Sequence, residues 1–159
     1  MTTIYLMRHG QAAPDSGTGD EARVLTARGQ AQSNHAAQVL ARLKITPKHI
    51  FTSPRTRTQQ TAAPIADALG ITPIIRDELD FGFGPDKLAR LLAETDEVDL
   101  LLVGHEPTMS GTIRRVCGAD VAMEPGMVAC VDLYSKDLSP QGVLRWLIAP
   151  NVFDAIAEG

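Results

Sequence analysis

The residues best suited to chemistry sit where apolar runs stop. Ile4-Tyr5-Leu6-Met7 leads straight into Arg8, His9 and Gly10, and Leu100-Leu101-Leu102-Val103 leads into Gly104 and His105. Runs this short and this apolar read as buried strands. Gly10 lets the chain turn sharply at little steric cost. In open α/β sheets, ligands bind at the carboxyl ends of strands. A permanent cation beside an imidazole at such an end can hold a phosphoryl group and attack it. A second histidine at a second strand end makes a shared anion site the better reading of both.

A third stretch carries cations to a similar place. His49 to Ser53 reads as a short strand by its β-branched and aromatic content. Ser53-Pro54-Arg55-Thr56-Arg57 then opens a helix, with Ser53 expected as cap and Pro54 in the first turn. Arg55 and Arg57 at a positive helix end run against the dipole. Such a local conflict often marks function, and a bound anion would resolve it. Further on, Arg76 to Pro85 is acidic, Gly-rich and loop-like. Either Glu78 or Asp80 could donate a proton there if held near a leaving group.

Regular elements must bring these stretches together. Residues 11–25 are rich in Gly, Pro, Ser and Asp and read as a loop beside the Arg8–His9 corner. Thr26 is expected to cap a helix reaching Lys44, with Ala36, Ala37, Leu40 and Leu43 on its apolar face. The helix after Ser53 runs to Leu69, where Gly70 stops it. Residues 71–75, with Pro73, read as an edge strand or extended link. Helices are expected over 86–94 and 108–117, and an antiparallel hairpin over 127–134 and 143–149. The tail from Pro150 reads as a short helix or a disordered end. Strand–helix alternation implies an α/β fold with a mainly parallel sheet and helices on both faces.

Composition narrows the function classes. The chain has 159 residues and 44% apolar content, enough for one domain, 1–159, with its own core. The net charge of −4 argues against nucleic-acid binding, so any anion site must be a local cluster of cations. Two cysteines, Cys117 and Cys130, do not make a disulfide framework. The start lacks a signal-peptide pattern, and no apolar run approaches the ~20 residues of a membrane span. No His/Asp/Glu cluster has metal-ligand spacing. A cytoplasmic monomer with no membrane partner and no metal or other cofactor is expected.

The order of these motifs resembles the histidine phosphatase superfamily, which includes phosphoglycerate mutase. Arg8-His9-Gly10 is similar to its Arg-His-Gly signature. Ser53-Pro54 with Arg57 and Gln60-Thr61 is similar to its Ser-Pro…Arg…Gln-Thr segment. Gly104-His105 is similar to its second histidine, and Glu78 with Phe81-Gly82 to its acid segment. Asp20…Arg23-Val24-Leu25-Thr26…Gly29 resembles the SixA-like phosphohistidine phosphatase branch. So does the short stretch from Glu78 to His105, only 26 intervening residues, where mutases usually carry a helical insertion. Gln11-Ala12-Ala13-Pro14-Asp15 stands where mutase-like members have an Asn.

The resemblance implies a three-layer α/β/α sandwich, phosphoglycerate mutase-like, with an antiparallel C-terminal strand. It implies His9 as nucleophile through a phosphohistidine intermediate. Arg8, Arg57 and His105 would clamp the phosphoryl oxygens, and Glu78 would be the proton donor. Arg23 and Arg55 are accessory candidates. The expected substrate is phosphohistidine on a protein, with inorganic phosphate as product. A phosphatase of small phosphate esters is the alternative. A non-catalytic phosphohistidine carrier is a third reading, and the arginine clamp counts against it.

Overall fold

The computed structural model describes all 159 residues. Strand β1 spans Thr2–Arg8 and β4 spans Leu100–Gly104; they pair in parallel, with Arg8 opposite Gly104. Beyond β4 lie β2 (His49–Thr52) and β3 (Ile74–Ile75), both parallel. On the other side β5 (Val128–Ser135) runs antiparallel to β1, and β6 (Gln141–Ile148) turns back along it. The sheet order is β3-β2-β4-β1-β5-β6. The expected antiparallel element is therefore β5, inside the sheet, whereas the last strand runs with β1.

Alternation along the strands divides the core. Ile4, Leu6, Leu100 and Leu102 face one side and pack with Leu88, Leu91 and Leu92 of α3 (Pro85–Glu94) and with Ile113 of α4 (Thr108–Cys117). Tyr5, Met7, Leu101 and Val103 face the other. They pack with Ala36 and Leu40 of α1 (Ala27–Arg42), Ile65 of α2 (Thr56–Leu69) and Phe153 of α5 (Pro150–Glu158). Side chains of period two on a doubly covered sheet give these continuous apolar runs. The layers are helix, sheet, helix.

Local chemistry sets most boundaries. Thr26 caps α1 by accepting from the Gly29 amide at 3.0 Å. Helix α1 stops at Arg42, short of Lys44, whose φ of 56° lies in the left-handed region. Gly70, with φ 69°, ends α2. Of residues 71–75 only Ile74 and Ile75 pair, at the sheet edge after Pro73. The tail is helical. Its Pro150 begins α5, and Asp154 joins it to α1 through Arg28 and His35, both at 2.7 Å. Ser53 is not the cap of α2: that position falls to Arg55, and the Ser53 hydroxyl is used elsewhere.

Candidate active site

The register of β1 against β4 puts both histidines at one edge. The His9 amide donates to the Gly104 carbonyl at 3.0 Å, and the rings of His9 and His105 lie 5.4 Å apart between centroids. Gly10 is needed for close approach: a Cβ there would stand 2.8 Å from the Gly29 carbonyl oxygen. Its amide donates to Thr61 Oγ1 at 3.0 Å, tying the turn after His9 to α2.

The hydrogen bonds around His9 fix its tautomer. Its Nδ1 is 2.6 Å from the Gly10 carbonyl, which can only accept, so Nδ1 carries the proton and Nε2 keeps a lone pair. Arg57 Nε donates to that Nε2 at 3.3 Å. Burial, only partly offset by the Gly10 hydrogen bond, lowers His9 to about 4, and Arg57, Arg8 and Arg23 add to the lowering. The ring is neutral at pH 7, with a lone pair on Nε2.

The cations converge with a partner that sequence reasoning did not assign. Arg57, 3% exposed, donates from Nη1 to the Asp20 carbonyl at 2.9 Å and from Nη2 to Asp20 Oδ2 at 3.1 Å. Arg55 reaches the same Oδ2 at 2.6 Å, and Arg23 reaches Asp20 Oδ1 at 3.1 Å. One carboxylate thus bridges three guanidinium groups. Burial is the largest single influence and raises the Asp20 carboxyl, but the hydrogen bonds and charges of these arginines together outweigh it and hold it below the usual carboxylate range. Arg8 donates to the Met123 carbonyl at 2.9 Å, while its buried Nε has no partner. The Asp20–Arg23 spacing was visible in the sequence; that its carboxylate would lie on the clamp was not.

Glu78, the candidate proton donor, lies in an ion pair. Arg76 grips both its oxygens, at 2.6 and 3.2 Å, and holds its carboxyl below the usual range. Asp80 is the acid beside the histidines: Oδ1 lies 2.7 Å from Arg55 Nε and 3.9 Å from His105 Nε2. Phe81, 51% exposed, sets its ring under Arg55 at 3.9 Å and against the His105 ring at 4.9 Å. No group of three or more His, Cys, Asp or Glu residues is clustered so as to hold a metal ion.

The histidine phosphatase superfamily (branch 1) matches residues 4–83, which carry Arg8, His9, Arg57 and Glu78. The chain belongs to that superfamily. This histidine phosphatase is 27% identical to phosphohistidine phosphatase SixA of Escherichia coli K12 over 154 residues, 92% of this chain and 93% of that one. A structure of the protein histidine phosphatase SixA complexed with tungstate superposes with a TM-score of 0.82 at 24% identity, covering 94% of this chain and 98% of that chain. A probable phosphoglycerate mutase GpmB of Enterobacter is 42% identical over 89 residues, 52% of this chain but only 40% of that protein. The fold is that of the SixA and phosphoglycerate mutase-like structures, and membership together with the likeness to SixA supports phosphatase activity.

Proposed function

We propose that this histidine phosphatase removes phosphoryl groups from phosphohistidine on a protein partner through a phosphohistidine at His9. The observation that carries the mechanism is the state of His9: Nδ1–H fixed on a backbone carbonyl, and Nε2 unprotonated with the Nε of a buried arginine against it. Nε2 attacks phosphorus as the bond to the leaving group breaks. Water then hydrolyses the intermediate and releases phosphate. Arg8 and Arg57 hold the phosphoryl oxygens with His105 beside them, and positioning and charge supply most of the acceleration. Both terminal nitrogens of Arg57 are engaged by Asp20, so an arriving phosphoryl group must displace that carboxylate from the clamp.

Two features favour a phosphohistidine substrate. Only α3 and β4 lie between Glu78 and His105, and Phe81, Asp80 and Asp20 stand partly in solvent, so a phosphorylated side chain of another protein can enter. The second is the leaving group. Glu78 and Asp80 are both ionised in ion pairs, a poor arrangement for protonating an alkoxide, whereas imidazole leaves with less help. The similarity to a protein named phosphohistidine phosphatase over 92% of the chain supports the same choice.

The test is phosphate release from a phosphohistidine-bearing protein against a panel of sugar phosphates. Faster turnover of the protein is expected, and His9→Ala should lower it by at least about 10³-fold. The partial match to GpmB keeps small phosphate esters as the second reading. That reading wins if a sugar phosphate is the faster substrate.

A further inference from the structure

Beneath His105 lies a pair of hydroxyls that the mechanism above does not use. Ser53 Oγ is 2.7 Å from His105 Nε2 and 2.8 Å from Thr58 Oγ1, and all three residues are buried. The Arg55 amide also donates to Ser53 Oγ, at 3.3 Å. Thr58 Oγ1 has two further neighbours that can only accept, the Arg55 carbonyl at 2.8 Å and the Ser53 carbonyl at 3.0 Å. A hydroxyl has one proton to give. With Thr58 giving its proton to a carbonyl, Ser53 gives its own to Thr58 and accepts from His105 Nε2–H. The other ring nitrogen, Nδ1, is buried and has no partner.

The opposite arrangement is the costlier one. It would leave a buried N–H at Nδ1 without an acceptor, and orphaned N–H groups are rarer than under-used acceptors. It would also take the proton away from Nε2, the nitrogen 3.9 Å from the Asp80 carboxylate.

We infer that the Ser53–Thr58 hydroxyl pair holds His105 as its Nε2–H tautomer and leaves Nδ1 as the proton acceptor of the site. The inference rests on the phosphatase reading above. Glu78 and Asp80 are engaged by arginines, so Nδ1 is the basic atom of this cluster left unpaired. In hydrolysis, water oxygen attacks phosphorus and the P–Nε2 bond to His9 breaks, its electron pair returning to Nε2. The proton from water passes to His105 Nδ1 and returns to solvent as phosphate leaves. His105 faces His9 from the end of β1, Arg57 from α2, Arg55 just before α2, and Asp80 from the turn before α3. Burial first, then His9 and Arg57, lower it to about 3, opposed by Asp80, so it is neutral at pH 7 and a weak base, taking the proton only as bonding to phosphorus makes the attacking water strongly acidic. Ser53 and Thr58 are positioning residues: they touch no substrate.

Nitrogen-15 NMR of histidine-labelled protein at pH 7 tests this, because only His9, His35, His49 and His105 contribute, assigned by single His→Gln variants. The expected free-protein state of His105 is Nε2–H with bare Nδ1. Thr58→Val removes the acceptor for the Ser53 proton, turns that proton toward Nε2 and shifts the ring to Nδ1–H; Thr58→Ser restores the first state. Unchanged His35 and His49 signals report an intact fold. If Thr58→Val does not fold, Ser53→Ala takes its place, with a mixture of tautomers expected. Phosphate release from a phosphohistidine protein should fall about tenfold in Thr58→Val, within the range of a misplaced general base, with KM within about twofold and recovery in Thr58→Ser. An Nδ1–H ring in the free protein, an unmoved tautomer in Thr58→Val or Ser53→Ala, or full turnover in Thr58→Val overturns the inference and leaves the phosphatase reading standing. The expected tautomers without phosphate release from any substrate overturn that reading, and the acceptor role falls with it.

Discussion

On the reading proposed above, Asp20 occupies arginines that a phosphoryl group would need. Its carboxylate holds Arg55, Arg57 and Arg23 while 44% of its side chain stays exposed, so it can leave without unfolding anything. Removing its charge but not its size should free the clamp. Asp20→Asn is expected to bind inorganic phosphate about two- to fivefold more tightly, the scale of partly exposed ion pairs. Weaker binding, measured by isothermal titration, would mean that Asp20 builds the site rather than covers it. The same scale separates what the sequence disclosed from what it hid. His9, His105 and Arg57 were legible because each follows a strand end in a recognisable order. The choice between Glu78 and Asp80 was not: both lie in one acidic loop, and only the fold brings Arg76 to the first and Arg55 to the second. Glu78→Gln is accordingly expected to change phosphohistidine hydrolysis by less than about threefold, since an imidazole leaving group needs little acid. A loss of ten- to a hundredfold in a steady-state assay would restore the proton-donor role.

Between elements, the tightest junction is the contact of Gly10 with the first turn of α1. A Cβ on Gly10 would come within 2.8 Å of the Gly29 carbonyl oxygen, and one on Gly29 within 2.0 Å of the Gln11 carbonyl oxygen. Backbone cannot yield there as a flexible side chain would. Gly10→Ala should cost about 1–3 kcal/mol of unfolding free energy in urea, as overpacking does. The strands were legible because alternate residues are apolar on both faces, and the Thr26 cap because its hydroxyl has no competing partner among buried groups. Ser53 misled for the opposite reason. A serine before proline is a good cap in isolation, but here its hydroxyl lies nearer to Nε2 of His105 than to the 3.3 Å amide of Arg55. Tertiary contact overrode local preference.

Across the whole molecule, keeping two histidines neutral makes stability depend on pH. Their values in the folded chain, about 4 for His9 and about 3 for His105, lie below the ordinary 6.5. The unfolded chain therefore binds more protons than the folded one between those values. Stability is full above about pH 6.5 and falls as pH drops from there toward 4 and 3. Urea midpoints should decline from pH 7 to pH 5, and His9→Gln should flatten part of that decline. An unchanged slope in His9→Gln would show that the folded ring titrates normally. Three layers, a mainly parallel sheet and the hairpin were all legible from alternation and turn residues. The placement of β5 between β1 and β6 was not, because pairing order depends on which edge the returning chain meets.

The strand order has a consequence for motion. β1 and β4 lie in the middle of the sheet, and both histidines follow directly on them. The loop that carries Asp20 is held at Gly17 and Gly19 by exposed bonds from their amides to Asp15 Oδ1, at 2.8 and 3.0 Å, and by the Ala22 amide on the Gly19 carbonyl at 3.2 Å. Hydrogen–deuterium exchange should be fast at those two glycines and, at Leu6 and Leu102, as slow as global unfolding. The barrier to uncovering the arginines is thus set by a surface segment, while the imidazoles keep their spacing through every opening.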